Sequence, residues 1–116
     1  MSNTFKIKTN DAMPTSAGTP LTLSTVRSSP TTIVLGLMLC NVDTSQRLVD
    51  VQIVSDTSDT ETNSTVFAIK AAPIPAGSTL EVMAGNKVVL QTTDVLKIDC
   101  DVAAKIDATL SIMEIT

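Results

Sequence analysis

Apolar and polar residues alternate with a period of two along most of this chain. In "TFKIKT" Phe5 and Ile7 fall on one face and Thr4, Lys6 and Lys8 on the other, and "PLTLSTV" repeats the arrangement with Leu21 and Leu23. The same alternation runs through "LVDVQIV", "STVFAIKA", "TLEVM", "KVVLQ", "VLKIDC" and "DATLSIMEIT". Period two is the signature of a strand with one buried face. One run breaks the rule. "TTIVLGLMLC" is apolar on both faces, with Ile33, Leu35, Leu37 and Leu39 in one phase and Val34, Gly36, Met38 and Cys40 in the other. Such a strand lies inside a sheet covered on both sides, or it faces a partner.

Turn chemistry separates these runs. Asn41–Gln46 and Asp56–Asn63 are polar, and Ala76-Gly77-Ser78 breaks a strand. "AGNK" reads as a tight hairpin, because Gly and Asn tolerate positive φ. Pro73 and Pro75 flank Ile74, so that segment is a connector or an edge. Helix-like spacing occurs only around Asp101–Ile106, long enough for one turn between strands. The spacing of the runs predicts an all-β fold: an antiparallel β-sandwich, jelly-roll or immunoglobulin-like, of about eight strands. Residues 21–116 form one domain in this reading. Residues 1–20, punctuated by "NDAMPTSAGTP", read as an N-terminal arm or extended segment that orders against a neighbour.

Composition narrows the function. The 116 residues suit a single domain, and 43% are apolar, enough for a core without staples. Phe5 and Phe67 are the only aromatic residues, so the core is aliphatic, and the rings that line most ligand pockets and binding hot spots are scarce. Ser and Thr make up roughly a quarter of the chain and suit half-exposed strands. The net charge is −4 with eight scattered basic residues, which argues against direct nucleic-acid binding. Cys40 and Cys100 read as two thiols that behave as small hydrophobes. The first residues, "MSNTFKIKTN", lack a signal-peptide pattern, and the longest apolar run is far short of a membrane span. The expected site of synthesis is a cytoplasm, with no membrane partner.

Candidate chemistry is sparse. Histidine is absent, which removes the commonest general base and the usual nucleophile pairs. Asp56, Asp59 and Glu61 form an acidic loop without the fixed spacing of a calcium-binding loop. Asp99 and Asp101 flank Cys100 and read as solvent-facing at a strand end. No catalytic, cofactor or metal residue is predicted, and the chain is not read as an enzyme; a carboxylate-based hydrolase is the weakest alternative. Two apolar features remain unexplained: the doubly apolar strand, and a last strand with Ala108, Leu110 and Ile112 on one face but Met113 and Ile115 on the other. The outer side of an antiparallel sheet is ordinarily polar. Leu37, Leu39, Met113 and Ile115 are therefore the candidate interface. Asp43, Arg47, Asp56, Asp59 and Glu61 mark the candidate exposed loops.

Three blocks of the sequence carry a resemblance. They are "TTIVLGLMLCNVDTSQRLVDVQIV", "IPAGSTLEVMAGNKVVLQTTDVLKIDC" and "DATLSIMEI". In this order they resemble a family of small virion proteins of tailed bacteriophages, particularly phages of cyanobacteria and other aquatic bacteria. The matching positions are the turn Cys40-Asn41-Val42-Asp43, the segment Ile74–Leu80, and Ser111–Ile115. The sequence departs from the pattern at Gln91-Thr92-Thr93-Asp94, where the family often has glycine before the aspartate. The resemblance implies a β-sandwich present in many copies on a virion, similar to capsid decoration (cement) proteins, with the major capsid protein and copies of itself as partners, in a homo-oligomer such as a trimer. A tail, neck or host-attachment adaptor is the alternative it leaves open.

Overall fold

The computed structural model describes residues 3–27, 31–55, 62–83 and 87–116, and no helix occurs among them. Nine strands run in order: β1 (Asn3–Met13), β2 (Leu21–Thr25), β3 (Thr31–Asn41), β4 (Arg47–Val54), β5 (Val66–Ile74), β6 (Thr79–Glu81), β7 (Val88–Leu90), β8 (Val95–Cys100) and β9 (Ile106–Ile115). All described pairings are antiparallel. The first sheet has the order β1-β9-β3-β6, with β7 also on β3, and the second has the order β2-β8-β4-β5. They stack as an antiparallel β-sandwich.

β6 and β7 pair with opposite ends of β3 and amount to one interrupted strand. On that count the first strand pairs with the last, the second with the last but one, the third with the sixth, and the fourth with the fifth. The chain is one long hairpin rolled up so that its ends meet. This is the winding of a jelly roll, and it decides between the two sandwich types the sequence left open.

The interior results from alternation. Val34, Leu37, Leu39, Ile106, Ala108, Leu110 and Ile112 of the first sheet meet Val49, Val51, Leu96 and Ile98 of the second, all essentially without exposure. Each such aliphatic side chain contributes about 1.5–3 kcal/mol by leaving water. The core holds no aromatic ring: Phe5 is 71% exposed and Phe67 45%.

The structure corrects two expectations. Residues 3–13, assigned to an arm, form the edge strand β1, held along its length by β9 from Asn3↔Ile115 to Met13↔Ile106. Leu37 and Leu39, expected at an interface, are completely buried in the chain's own core. The cause is a β-bulge between Val34 and Gly36. A bulge inserts an extra residue and so reverses the phase of the rest of the strand. Ile33 and Leu37 share a phase in the sequence, yet Ile33 is half-exposed and Leu37 buried. Asp101–Ala104 makes the expected turn before β9, its Ala104 at φ 58° and donating its N–H to the Pro14 carbonyl at 2.7 Å.

Candidate interaction face

Directly opposed residues on neighbouring strands point to the same side of a sheet. Register therefore gives the outer face of the first sheet row by row. Phe5 opposes Met113, Met113 opposes Ile33, and Ile33 opposes Val89. One unbroken apolar row thus crosses β1, β9, β3 and β7. Ile115 lies one row beyond it, between Asn3 and Thr31, and Ile7 one row to the other side, beside Ser111 and Gly36. Phe5, Ile7 and Val89 are 71%, 66% and 60% exposed. Met113 and Ile115, named from the sequence, are half-buried members of this face. Phe5, Ile7, Ile33 and Val89 complete it. Their signal was present in the alternation, but which phase faced outward depended on the bulge and on β1 being a strand.

The second sheet is different. The corresponding outer row, Thr22–Lys97–Gln52–Phe67, is polar at three of its four positions, as a solvated sheet face should be. Its Phe67 ring is covered by the Lys70 ammonium, 4.5 Å from the centroid. Leu48, Val66 and Phe67 are exposed on the second sheet too, but this row does not run apolar from strand to strand as the first sheet's does.

Glu114 lies beneath the apolar row. It continues the inward phase of Ala108, Leu110 and Ile112 and is only 4% exposed. Two cations reach it: Lys6 Nζ at 2.9 Å from Oε1, and Arg27, whose Nη2 donates to Oε1 at 2.9 Å and Nε to Oε2 at 3.2 Å. The hydrogen bond from Arg27, then that from Lys6, holds its carboxyl down at about 2. The ion pair ties β1 and the end of β2 to β9, and so fixes Phe5 and Ile7 on the opposite side of β1.

The far end of the same sheet face is polar. Thr9, Asp11, Asp107 and Thr109 border a shallow open groove of about 510 Å³, and Met38 opposes Thr109 on one side and Glu81 on the other. Here Asn41 organises the turn after β3. It is fully buried. Its Nδ2 donates to the carbonyls of Ser45 and Ile74, each at 2.9 Å, and its Oδ1 accepts the Asp43 N–H at 2.9 Å. Its backbone donates to Ser78 and accepts from Gly77.

Asp43 and Arg47, named as exposed-loop candidates, are half-buried and joined to each other at 2.6 Å. The Thr44 N–H and then Arg47 lower the Asp43 pKa. Asp56, Asp59 and Glu61 lie outside the described residues, as does the centre of the "AGNK" hairpin. Asp101 is exposed as expected, but Asp99 is buried, its carboxylate folded back to accept the Cys100 N–H at 2.8 Å. Three further carboxylates accept backbone N–H groups: Asp101 from Leu48, Asp50 from Ala71, and Asp94 from Gln91, the last also accepting the Ser55 hydroxyl. Among the described residues no group of three His, Cys, Asp or Glu is placed to hold a metal. Cys40 and Cys100 are free thiols, the first half-buried on the outer face and the second buried. Compared with models of known protein families and with curated proteins, the chain matches none.

Proposed function

We propose that this chain is a structural protein of a bacteriophage particle, a capsid decoration (cement) protein that binds the outer shell in many copies and stabilises it. The observation that carries the reading is the unbroken apolar row Phe5–Met113–Ile33–Val89 across the outside of the first sheet. A solitary sandwich gains nothing from such a row; a molecule that packs against others does. Both aromatic residues are placed on the surface, and aromatic side chains are enriched where proteins meet.

Three further points support the reading. Jelly rolls recur in viral capsid domains, an argument from analogy, since one fold serves many functions. A surface acting in many copies gains strength by multivalency and needs no deep pocket. The net charge of −4 keeps the free molecule soluble and complements a basic shell surface. The partners in this proposal are the major capsid protein and further copies of the chain, the location is the virion, and no reaction is catalysed. Quantitative mass spectrometry of purified particles tests it: tens to hundreds of copies fit a shell protein, a handful fits a tail or neck component, and none refutes it.

A further inference from the structure

We infer that β1 is an exchangeable strand: it leaves β9 while the rest of the sandwich stays folded, and the seat it vacates takes β1 of a second copy of this chain. The inference stands apart from the shell role proposed above. The first observation is the polarity of the strand. Thr4 opposes Glu114, Lys6 opposes Ile112, Lys8 opposes Leu110 and Asn10 opposes Ala108, and all four partners are buried. The phase of β1 that shares the inward side is therefore polar, while Phe5 and Ile7 point outward. Of the eleven residues only Met13 is buried. A strand inverted in this way adds one side chain to the core, so its departure leaves the remaining interior in place. Segments with so little buried apolar contact open without global unfolding.

The attachments and the connector suit exchange. Besides Met13 and the ladder, β1 is held by Lys6, whose Nζ lies 2.9 Å from Glu114 Oε1. Arg27 binds the same carboxylate, so Glu114 keeps a cation when β1 leaves. Residues 14–20 carry the chain from β1 in one sheet to β2 in the other. Extended, seven residues span about 23 Å, close to the 24 Å of the molecule's shortest extent, and so reach an adjoining copy. The occupant follows from the seat itself. Pairing runs unbroken from Asn3↔Ile115 to Asn10↔Ala108 and resumes at Met13↔Ile106, with Glu114 set to receive Lys6. Residues 3–13 fit that seat, and a second copy carries them. Exchange then replaces every contact by its equal. The tether holds β1 over its own seat at an effective concentration of about millimolar order, so the free chain is closed at micromolar concentration and exchange grows where copies are crowded together.

Mixed disulfides test this. Full chains carrying Thr9→Cys are mixed with chains carrying Thr109→Cys, both with Cys40→Ser and Cys100→Ala. Thr9 opposes Thr109, near enough for a disulfide, and neither chain holds the partner thiol. Under mild oxidation at about 1 mM, a dimer joined through the two introduced thiols should form, and at about 5 µM it should form at least about tenfold more slowly. Replacing Thr109→Cys by Thr22→Cys, exposed on the other sheet, measures cross-linking by collision. Lys6→Gln should speed the mixed dimer about two- to fivefold, and Lys6→Arg should restore the slower rate. Hydrogen exchange on the unaltered chain gives a second reading: the β1 amides should exchange at least about tenfold faster than those of β3. A mixed dimer no faster than the collision control overturns the inference, as do β1 amides that open only together with β3. Open β1 amides without a mixed dimer overturn the second copy as occupant.

Discussion

Asn41 offers the sharpest test of how this sandwich is held together. Its amide makes three hydrogen bonds at 2.9 Å, two donated to the carbonyls of Ser45 and Ile74 and one accepted from Asp43, with no exposure to water. A net hydrogen bond is worth about 0.5–1.5 kcal/mol, and a stranded buried partner costs more. Asn41→Ala should therefore cost about 3 kcal/mol, a large share of a typical total stability of about 5–15 kcal/mol. Asn41→Asp keeps the shape but turns both donated bonds into contacts between oxygens, one of them carrying charge. At neutral pH it should cost at least as much as the alanine variant.

The aspartate variant also carries a pH signature of definite sign. Burial and two facing carbonyls raise the folded-state pKa of the introduced carboxyl above its unfolded value of about 3.9. Its deficit against the parent protein should be smallest below about pH 4, where the neutral carboxyl can donate one bond. The deficit should widen as pH rises from the unfolded value and level off above the folded-state one. Urea unfolding of parent, Asn41→Ala and Asn41→Asp at about pH 4 and about pH 7 reads both effects. An alanine variant within about 0.5 kcal/mol of the parent, or an aspartate variant whose deficit ignores pH, would refute the reasoning.

Glu114 has the opposite sign: its pKa is lowered from 4.5 to about 2, so its contribution is full above about pH 4.5 and is lost as pH falls through about 2. Thermal melts across that window should show Glu114→Gln with a shallower acid slope than the parent. Thr93 occupies the left-handed region at φ 73°, an outlier for a β-branched residue. Thr93→Gly should add up to about 1 kcal/mol, seen as a melting temperature raised by roughly 4 °C; a lowered one would count against strain at that turn. Cys40 is half-buried and Cys100 buried, with the Cys100 pKa raised chiefly by burial, so a thiol reagent should modify one cysteine rapidly in the native protein and both after denaturation.

The fold class was legible because period-two alternation and turn residues agree along the chain. What the sequence hid were events decided by pairing. The bulge between Val34 and Gly36 reverses which leucines face inward, and its one trace in "TTIVLGLMLC" is Gly36, since a lone glycine inside a strand often marks a bulge. β1 read as an arm because its own strand pattern is short and its partner, β9, lies at the other end of the chain. Asn41 looked like an ordinary turn residue, since its burial depends on Ile74, 33 positions away. Glu114 could have been found: it continues the inward phase of Leu110 and Ile112, and a carboxylate in that position requires a cation.

Asn41 and the apolar row lie at opposite ends of β3, and they answer different questions. Asn41 ties the end of β3 to the segment before β6, since its side chain and backbone bind Ile74, Gly77 and Ser78, and the Val42 N–H reaches the Lys105 carbonyl just before β9. Those turn residues set the winding of the roll. They say little about what the roll touches. Ile33 pairs with Met113 at the other end of β3 and β9, facing outward, where a polar residue would cost the core nothing. Phe5 and Val89 extend the same row across the sheet. Folding does not demand apolar side chains at those exposed positions, so it is in that row that the contacts of the proposed function should be sought.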